Sequence, residues 1–389
     1  MLLKLAYRNL IGAKLRTVLN VGVLSLTYVL IIWHQGLFSG MYRQATRDVI
    51  KDEIAGGQYW HKNYDPYDVL SLDEGHGSVP QELKPLIAKK KALPILIRQA
   101  NLYSKGRVQS VLIKGIDPGQ KILDIPTAKL DSGKDILPVM VGKIMARKNS
   151  LKLGDSVTIR WRDAYGTFDA VEGEIVEIMN TNVPTIDNGQ IWLPLERLRK
   201  MTGLTNQATI IVVGKEVVGE KDLSDWQFRN QDFLLKDVSD VVKSKRTASA
   251  IMYLVLLFLI MLAIFDTQVL SIFRRRKEIG TLMALGMTRL KVILLFTIEG
   301  TLNGILGIGV AAIYGTPVLI YTANTGIPLP QAMEEYGFAL KVRMFPVYSA
   351  WLITGTVLIV MLTVTIVSYL PSRRISGLKP TEALKGKIG

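Results

Sequence analysis

The sequence predicts an α-helical membrane protein with four transmembrane helices and an extracytoplasmic α+β domain inserted between helices 1 and 2. Three observations carry this reading. Four tracts are apolar for long enough to cross about 30 Å of hydrocarbon. The positive charge is gathered into three short segments, each abutting one of those tracts. Between the first and second tracts, from about 56 to 230, the chain turns to short alternating runs punctuated by Gly, Pro and Asp.

Charge location decides between a membrane and a nucleic-acid partner. Nearly half of the 389 residues are hydrophobic, yet the formal net charge is +15. Residues 1–17 supply +4 through Lys4, Arg8, Lys14 and Arg16, residues 273–291 supply +5, and residues 371–389 supply +4. These three segments hold +13 of the +15, the positive-inside pattern. Each cation facing an anionic leaflet gains about 1 kcal/mol. No nucleic-acid partner is expected. The chain has no cysteine, which removes disulfides and thiolate metal sites. His34, His61 and His76 have no ligand spacing, so no metal site is expected.

Residues 1–17 alternate cations with Leu3, Tyr7 and Leu10 at helical intervals and read as a cytoplasmic amphipathic helix on the membrane surface. Residues 18–38 form the first span. A cleaved signal peptide is the competing reading, but the tract is too long for an h-region and no small-x-small site follows. Met41, Ala45, Val49 and Ile54 keep a helical period, so the helix is expected to continue as a stalk until Gly56-Gly57. Within the domain at 39–247, strands are expected at 108–116, 156–161, 173–179, 190–193 and 209–213, and short helices at 81–91, 142–149 and 195–201. Leu235, Val238, Val241 and Val242 restore the helical period as a second stalk leading into the span at 248–273. A third span covers 292–321, an extracytoplasmic loop 322–344, a fourth span 346–370, and a cytoplasmic tail 371–389. Both termini then lie in the cytoplasm of a bacterial inner membrane, with the large domain periplasmic.

The segment 274–288 organises the rest. It opens with Arg274, Arg275, Arg276 and Lys277, then Glu278, and continues through Ile279, Gly280, Leu282, Met283, Leu285 and Gly286. Ile279, Leu282, Met283 and Gly286 share one helical face. Gly286 is placed to end this short helix and Thr288 to cap the next. A cationic linker obeying the positive-inside rule explains the first four residues but not the apolar face or the paired caps.

No active site can be assembled. The Gly-Lys pairs at 133, 142 and 386 lack the glycine spacing and the Ser/Thr of a phosphate-cradling loop, and no catalytic constellation is present. Two acids lie inside apolar tracts, Asp266 and Glu299, each costing about 3 kcal/mol or more at the bilayer centre. Both should sit near the cytoplasmic end, paired with a nearby Arg or Lys; a proton relay lacks the chain of polar groups it needs. Gly300 and Gly304 form a small-xxx-small pair that lets another helix approach, although glycine is common in membrane helices generally.

These residues carry a resemblance. Tyr7-Arg8-Asn9-Leu10 with Lys14-Leu15-Arg16-Thr17, Arg276-Lys277-Glu278-Ile279-Gly280 with Ala284-Leu285-Gly286 and Glu299-Gly300, and Pro371-Ser372-Arg373-Arg374 with Pro380-Thr381-Glu382-Ala383-Leu384 resemble motifs of the FtsX-like permeases, the macrolide-exporter-type (type VII) ABC transporters. The external domain resembles lipoprotein-release permeases at Val141-Gly142-Lys143 and Leu153-Gly154-Asp155. The resemblance implies a non-enzymatic permease subunit that pairs with a second copy or a related permease. ATP and Mg would be bound by a separate cytoplasmic ABC ATPase dimer, and the chain itself would hold no cofactor. Residues 274–286 would then be the ATPase-coupling helix, and a periplasmic carrier or outer-membrane component a further partner. Lipoprotein extraction is the expected work; efflux of hydrophobic compounds or peptides, and regulation of a cell-wall enzyme or antibiotic sensing, stay open.

Overall fold

The computed structural model describes residues 2–131, 133, 136–181, 183–217, 222–328 and 343–373. The tail beyond Arg373, with its Pro380 to Leu384 motif, and most of the loop at 322–344 lie outside the described residues. The chain divides into two compact units. One comprises residues 1–42, 242–328 and 343–389, the other 43–241 and 329–342.

The first unit is helical. Helix α1 (Leu2–Gly12) is followed by α2 (Lys14–Val49). The break therefore comes before residue 17, at Ala13, just after Gly12 and before Lys14 at φ +25°; Thr17 Oγ1 donates to the Leu10 carbonyl at 2.7 Å. Four helices are long and apolar enough to span a membrane: α2, α8 (Lys236–Arg274), α10 (Arg289–Thr325) and α11 (Ala350–Arg373). Their shared core joins Leu24 and Tyr28 of α2, Ile260 and Ile264 of α8, Ala311 of α10 and Val360 and Val364 of α11. Leu254, Phe258 and Leu262 of α8 stay more than half exposed, as lipid-facing residues do. With 36 and 39 residues, α2 and α8 are about 54 and 58 Å long at 1.5 Å per residue, well beyond the hydrocarbon thickness. No break separates either span from its stalk. The protein is a multi-pass membrane protein with a large extracytoplasmic α+β domain between its first two spans.

In the second unit the domain is built on a nine-stranded sheet. Its strands are β1 (Gly57–His61), β3 (Ala92–Ser104), β4 (Arg107–Ile116), β5 (Leu137–Gly142), β6 (Ser156–Arg162), β7 (Phe168–Met179), β8 (Gln190–Pro194), β10 (Ile210–Val213) and β11 (Trp226–Arg229), with the short pair β2 (Gly77–Ser78) and β9 (Gln207–Ala208) apart. β3 is the organising strand. Ala92 to Ile95 pairs with β10, which leads on to β1 and β11; Leu96 to Ser104 pairs with β4, and Ala100 to Tyr103 also with β6. That last pairing closes β3, β4, β8, β5, β7 and β6 into a barrel, with β4–β8 and β5–β7 parallel. Closure pairs both edges of β6, while β11 ends the branch through β10 and β1. Alternate residues point inward, so Val157, Ile159 and Trp161 of β6 join Leu96, Leu102, Ile113, Val139 and Ile191 in one core. The short helices are α3 (Lys84–Ala88), α4 (Lys143–Lys148), α5 (Pro184–Asp187), α6 (Leu195–Thr202) and α7 (Gln231–Leu234).

The stalk ends are planted in this domain. α2 closes in a π-helical turn, Ile50–Ile54. Val49 and Ile54 pack in one cluster with Leu93, Ile95, Met140 and Trp192, and Leu234, Leu235 and Val238 pack on the same cluster. Glu53 accepts from Lys114 Nζ of β4 at 3.2 Å and from Thr185 Oγ1 at 3.0 Å. Lys114 is almost wholly buried, its ammonium 5.1 Å from the Trp192 ring centroid. Removing Glu53 strands a buried cation. Glu53→Ala is expected to lower domain stability by about 3 kcal/mol, and adding Lys114→Met to restore most of it, read by denaturant unfolding of the full chain in detergent.

Candidate functional site

The cytoplasmic turn between α8 and α10 is built from local signals. α8 stops at Arg274, Arg275 leaves helical geometry (φ −101°, ψ 17°), and α9 runs Arg276–Ala284. It closes by a Schellman motif: the Gly286 N–H donates to Met283 O at 3.1 Å and the Met287 N–H to Leu282 O at 3.0 Å. Gly286 sits at φ +93°, where a Cβ is strained. Thr288 Oγ1 then accepts from the Lys291 N–H at 3.4 Å and starts α10.

Glu299, on α10, is 1% exposed and is the meeting point of the site. Arg16 Nη2, in the first turn of α2, donates to Oε1 at 2.8 Å, and Arg275 Nη1 donates to Oε2 at 3.0 Å. Arg275 also donates through Nε to Glu278 at 2.7 Å and lies over the Phe296 ring at 5.1 Å. Two cations and two carboxylates therefore balance. One buried acid thus fastens the entry of the first span and the cytoplasmic turn to the third span. Beside it Ile272, Ile279, Val292 and Phe296 form a small core with Met283 and Met287 against it, and Ala6 and Leu10 are the buried residues of α1, which packs on α10.

The residues of 274–286 thus divide. Ile279 and Gly280 are buried within this chain, and Arg275, Arg276, Leu282 and Met283 are half-buried. Arg274, Lys277, Glu278, Leu285 and Gly286 are exposed, Leu285 at 80%. Most of the apolar stripe legible in the sequence is the inward face of α9. The exposed side of this turn is the opposite, largely cationic face ending in Leu285.

The two intramembrane acids differ. Glu299 is paired, but Asp266 stands exposed on α8 and makes no ion pair among the described residues, contrary to the expected Arg or Lys partner. Its helical neighbours Leu262, Ala263, Val269 and Leu270 are all apolar. Gly300 and Gly304 face α11 closely: a Cβ at Gly300 would lie 2.0 Å from Ser368 Oγ, and one at Gly304 2.8 Å from Met361 Sδ. The partnership of Arg16 with Glu299 bridges 283 positions, and its only sequence signal is that an acid in a span needs a cation.

Comparison with known proteins agrees with this architecture. Residues 250–380, which include α9 and its flanking spans, match the family described as FtsX-like permease C-terminal. The chain is therefore a membrane protein related to the FtsX-like permeases. A relative from Methanocaldococcus jannaschii, described as "Uncharacterized ABC transporter permease MJ1507", is 26% identical over 171 residues. Those residues cover 41% of this chain and 39% of the relative. A crystal structure of the extracellular domain of the noncanonic ABC-type transporter YknZ from Gram-positive bacteria matches 45% of this chain and 99% of its own, at 15% identity and a TM-score of 0.29; so loose a likeness carries no structural argument.

Removing Glu299 leaves two cations facing each other, whereas removing either arginine leaves the acid one partner. Glu299→Ala is expected to cost about 3–5 kcal/mol, Arg275→Met less, and Arg16→Met, the more exposed cation, least. Thermal unfolding of the full chain in detergent checks the order, and equal costs for the three would overturn it.

Proposed function

We propose that this chain is the permease subunit of an ABC transporter whose ATPase is a separate cytoplasmic protein. The observation that carries the reading is the exposed cationic face of α9, held to the third span by the buried Glu299 pairs. In this reading the ATPase dimer, which binds ATP and Mg, docks on Arg274, Lys277 and Leu285, and two permease subunits, identical or related, act together. Closure of the ATPases displaces α9. Because α2 and α8 are uninterrupted helices, the displacement reaches the extracytoplasmic domain as motion of two stalks.

This assignment is tested by substitution on the two faces of α9. Lys277→Glu with Leu285→Asp is expected to abolish co-purification with the ATPase while leaving thermal stability unchanged. Ile279→Asp is expected to lower stability first, because it places a charge in the small core. Retained binding in the outer-face variant would overturn the docking role.

For the cargo, we favour extraction of lipoprotein from the outer face of the membrane. Support rests on the size of the external domain and the motif at 141–155. That motif also has roles in folding. A Cβ on Gly142 would lie 2.4 Å from the Asp187 backbone, Gly154 takes φ +82°, and Asp155 holds Lys105 at 2.7 Å. Mass spectrometry of material co-purified with a hydrolysis-dead ATPase complex is expected to show lipid-modified proteins. Small apolar compounds in their place would move the assignment to efflux.

A further inference from the structure

The extracytoplasmic domain contains a cavity of about 400 Å³ that none of the preceding function uses. It fills a notch in the sheet. The β3–β4 ladder ends at Leu96 opposite Gly115, while β3 runs back to Ala92. On the far edge β10 covers those residues; on the near edge, with β4 gone, the end of α3, the 117–122 loop and the start of α6 surround the space. It therefore opens at the carboxyl ends of the parallel strands β4 and β8. The size suits a small ligand, and Ile87, Pro94, Ile122 and Leu195 make much of the lining apolar.

The charges around it are uneven. Arg199 is spent, donating to Glu196 at 2.7 Å and to the Gln207 carbonyl at 3.0 and 3.1 Å. Asp117 accepts from the Gly119 N–H at 3.0 Å. Lys90 Nζ reaches over to the 117–122 loop and donates only to the neutral Gly119 carbonyl, at 3.1 Å. Lys121, on the same wall, has no hydrogen bond or ion pair among the described residues. The walls thus carry three cations against two acids.

Lys90 also stands where folding alone favours glycine. α3 closes by a Schellman motif, with the Lys90 N–H on Ile87 O and the Lys91 N–H on Leu86 O, and Lys90 occupies its left-handed position at φ +55°. α6 and α9 close on Gly203 and Gly286 in that position, and α4 on Ser150. A lysine there accepts backbone strain that glycine avoids, and its ammonium is set at the cavity wall. We infer that this cavity is a binding site for a carboxylate carried on an apolar body, the carboxylate meeting Lys90 and Lys121 and the body lying among Ile87, Ile122 and Leu195. An alkyl carboxylate and the C-terminus of an apolar peptide share that chemistry.

The absence of native cysteine makes the test direct. Ile122→Cys in the full chain, in lipid nanodiscs, is labelled with a maleimide in the presence of hexanoate or hexylammonium, without ATPase or nucleotide, so the outcome is independent of the transporter assignment. Hexanoate is expected to slow labelling by about threefold at twice its dissociation constant, and hexylammonium to leave it unchanged. Adding Lys90→Gly is expected to abolish the protection while the melting temperature stays equal or rises. Acetyl-Leu-Leu with a free carboxylate, against its carboxamide, separates the sources: protection at lower concentration than hexanoate identifies a peptide terminus, the reverse an alkyl acid. No slowing by any carboxylate, equal slowing by hexylammonium, or full protection in the Lys90→Gly variant would each overturn the site.

Discussion

A single carboxylate inside the membrane unit fixes what the cytoplasmic end of this protein can do. Glu299 alone at the centre of a bilayer costs about 3 kcal/mol or more, and Arg16 and Arg275 each bring a charge that also resists burial. Together with Glu278 they balance, and the guanidinium of Arg275 lies over the Phe296 ring. Such a cluster contributes little net stability compared with an apolar core of the same volume, but breaking it is expensive. Its consequence is geometric: the first turn of α2, the α8–α9 turn and α10 cannot separate without exposing an unpaired charge to lipid.

From that fastening two long helices, α2 and α8, lead away. Most of the stability of a helix in a protein comes from packing rather than propensity, here from the buried faces of α2 and α8 against α10 and α11. The glycines of α10 set how closely those helices meet. Gly300, Gly304 and Gly307 each sit where a Cβ would collide with Ser368, Met361 or Leu24, so α10 is gripped from two sides. Packing this close has few intermediate arrangements, which suits the proposed passing-on of a displacement from α9.

Much of this was legible in the chain. The spans, the stalks and the caps at Gly286 and Thr288 follow from uninterrupted apolarity, helical period and cap chemistry. Two long-range features were not. The barrel depends on β3 and β5, and both carry a proline, Pro94 and Pro138, in an otherwise strand-like apolar run; proline argues against an interior strand, so neither was expected, and with β3 missing the closure onto β6 was invisible. What the apolar face of α9 packs against was not legible for a related reason. Periodicity identifies an apolar stripe but not what covers it, and Ile279 is covered by Val292 and Phe296 of the next helix. Asp266 shows the converse limit, since the proximity of Arg274 in sequence supplied no contact in space.

The far ends of the stalks complete the mechanical argument. A π turn adds a residue to the helical register and is a local departure from α-helical hydrogen bonding; Ile50–Ile54 places it where α2 meets the domain. A weak joint there would let the stalk bend without moving the barrel. The packing opposes this. Val49 and Ile54 on one side of the turn and Leu234, Leu235 and Val238 of the second stalk share a core with barrel residues, and Glu53, inside the turn, holds the buried ammonium of Lys114 on a barrel strand. Bending at the turn would part that pair and leave a buried cation over Trp192 with no counter-charge, which is strongly unfavourable. In the proposed mechanism this irregular turn is where helix motion would be converted into displacement of β4, whose carboxyl end borders the cavity beside Lys90.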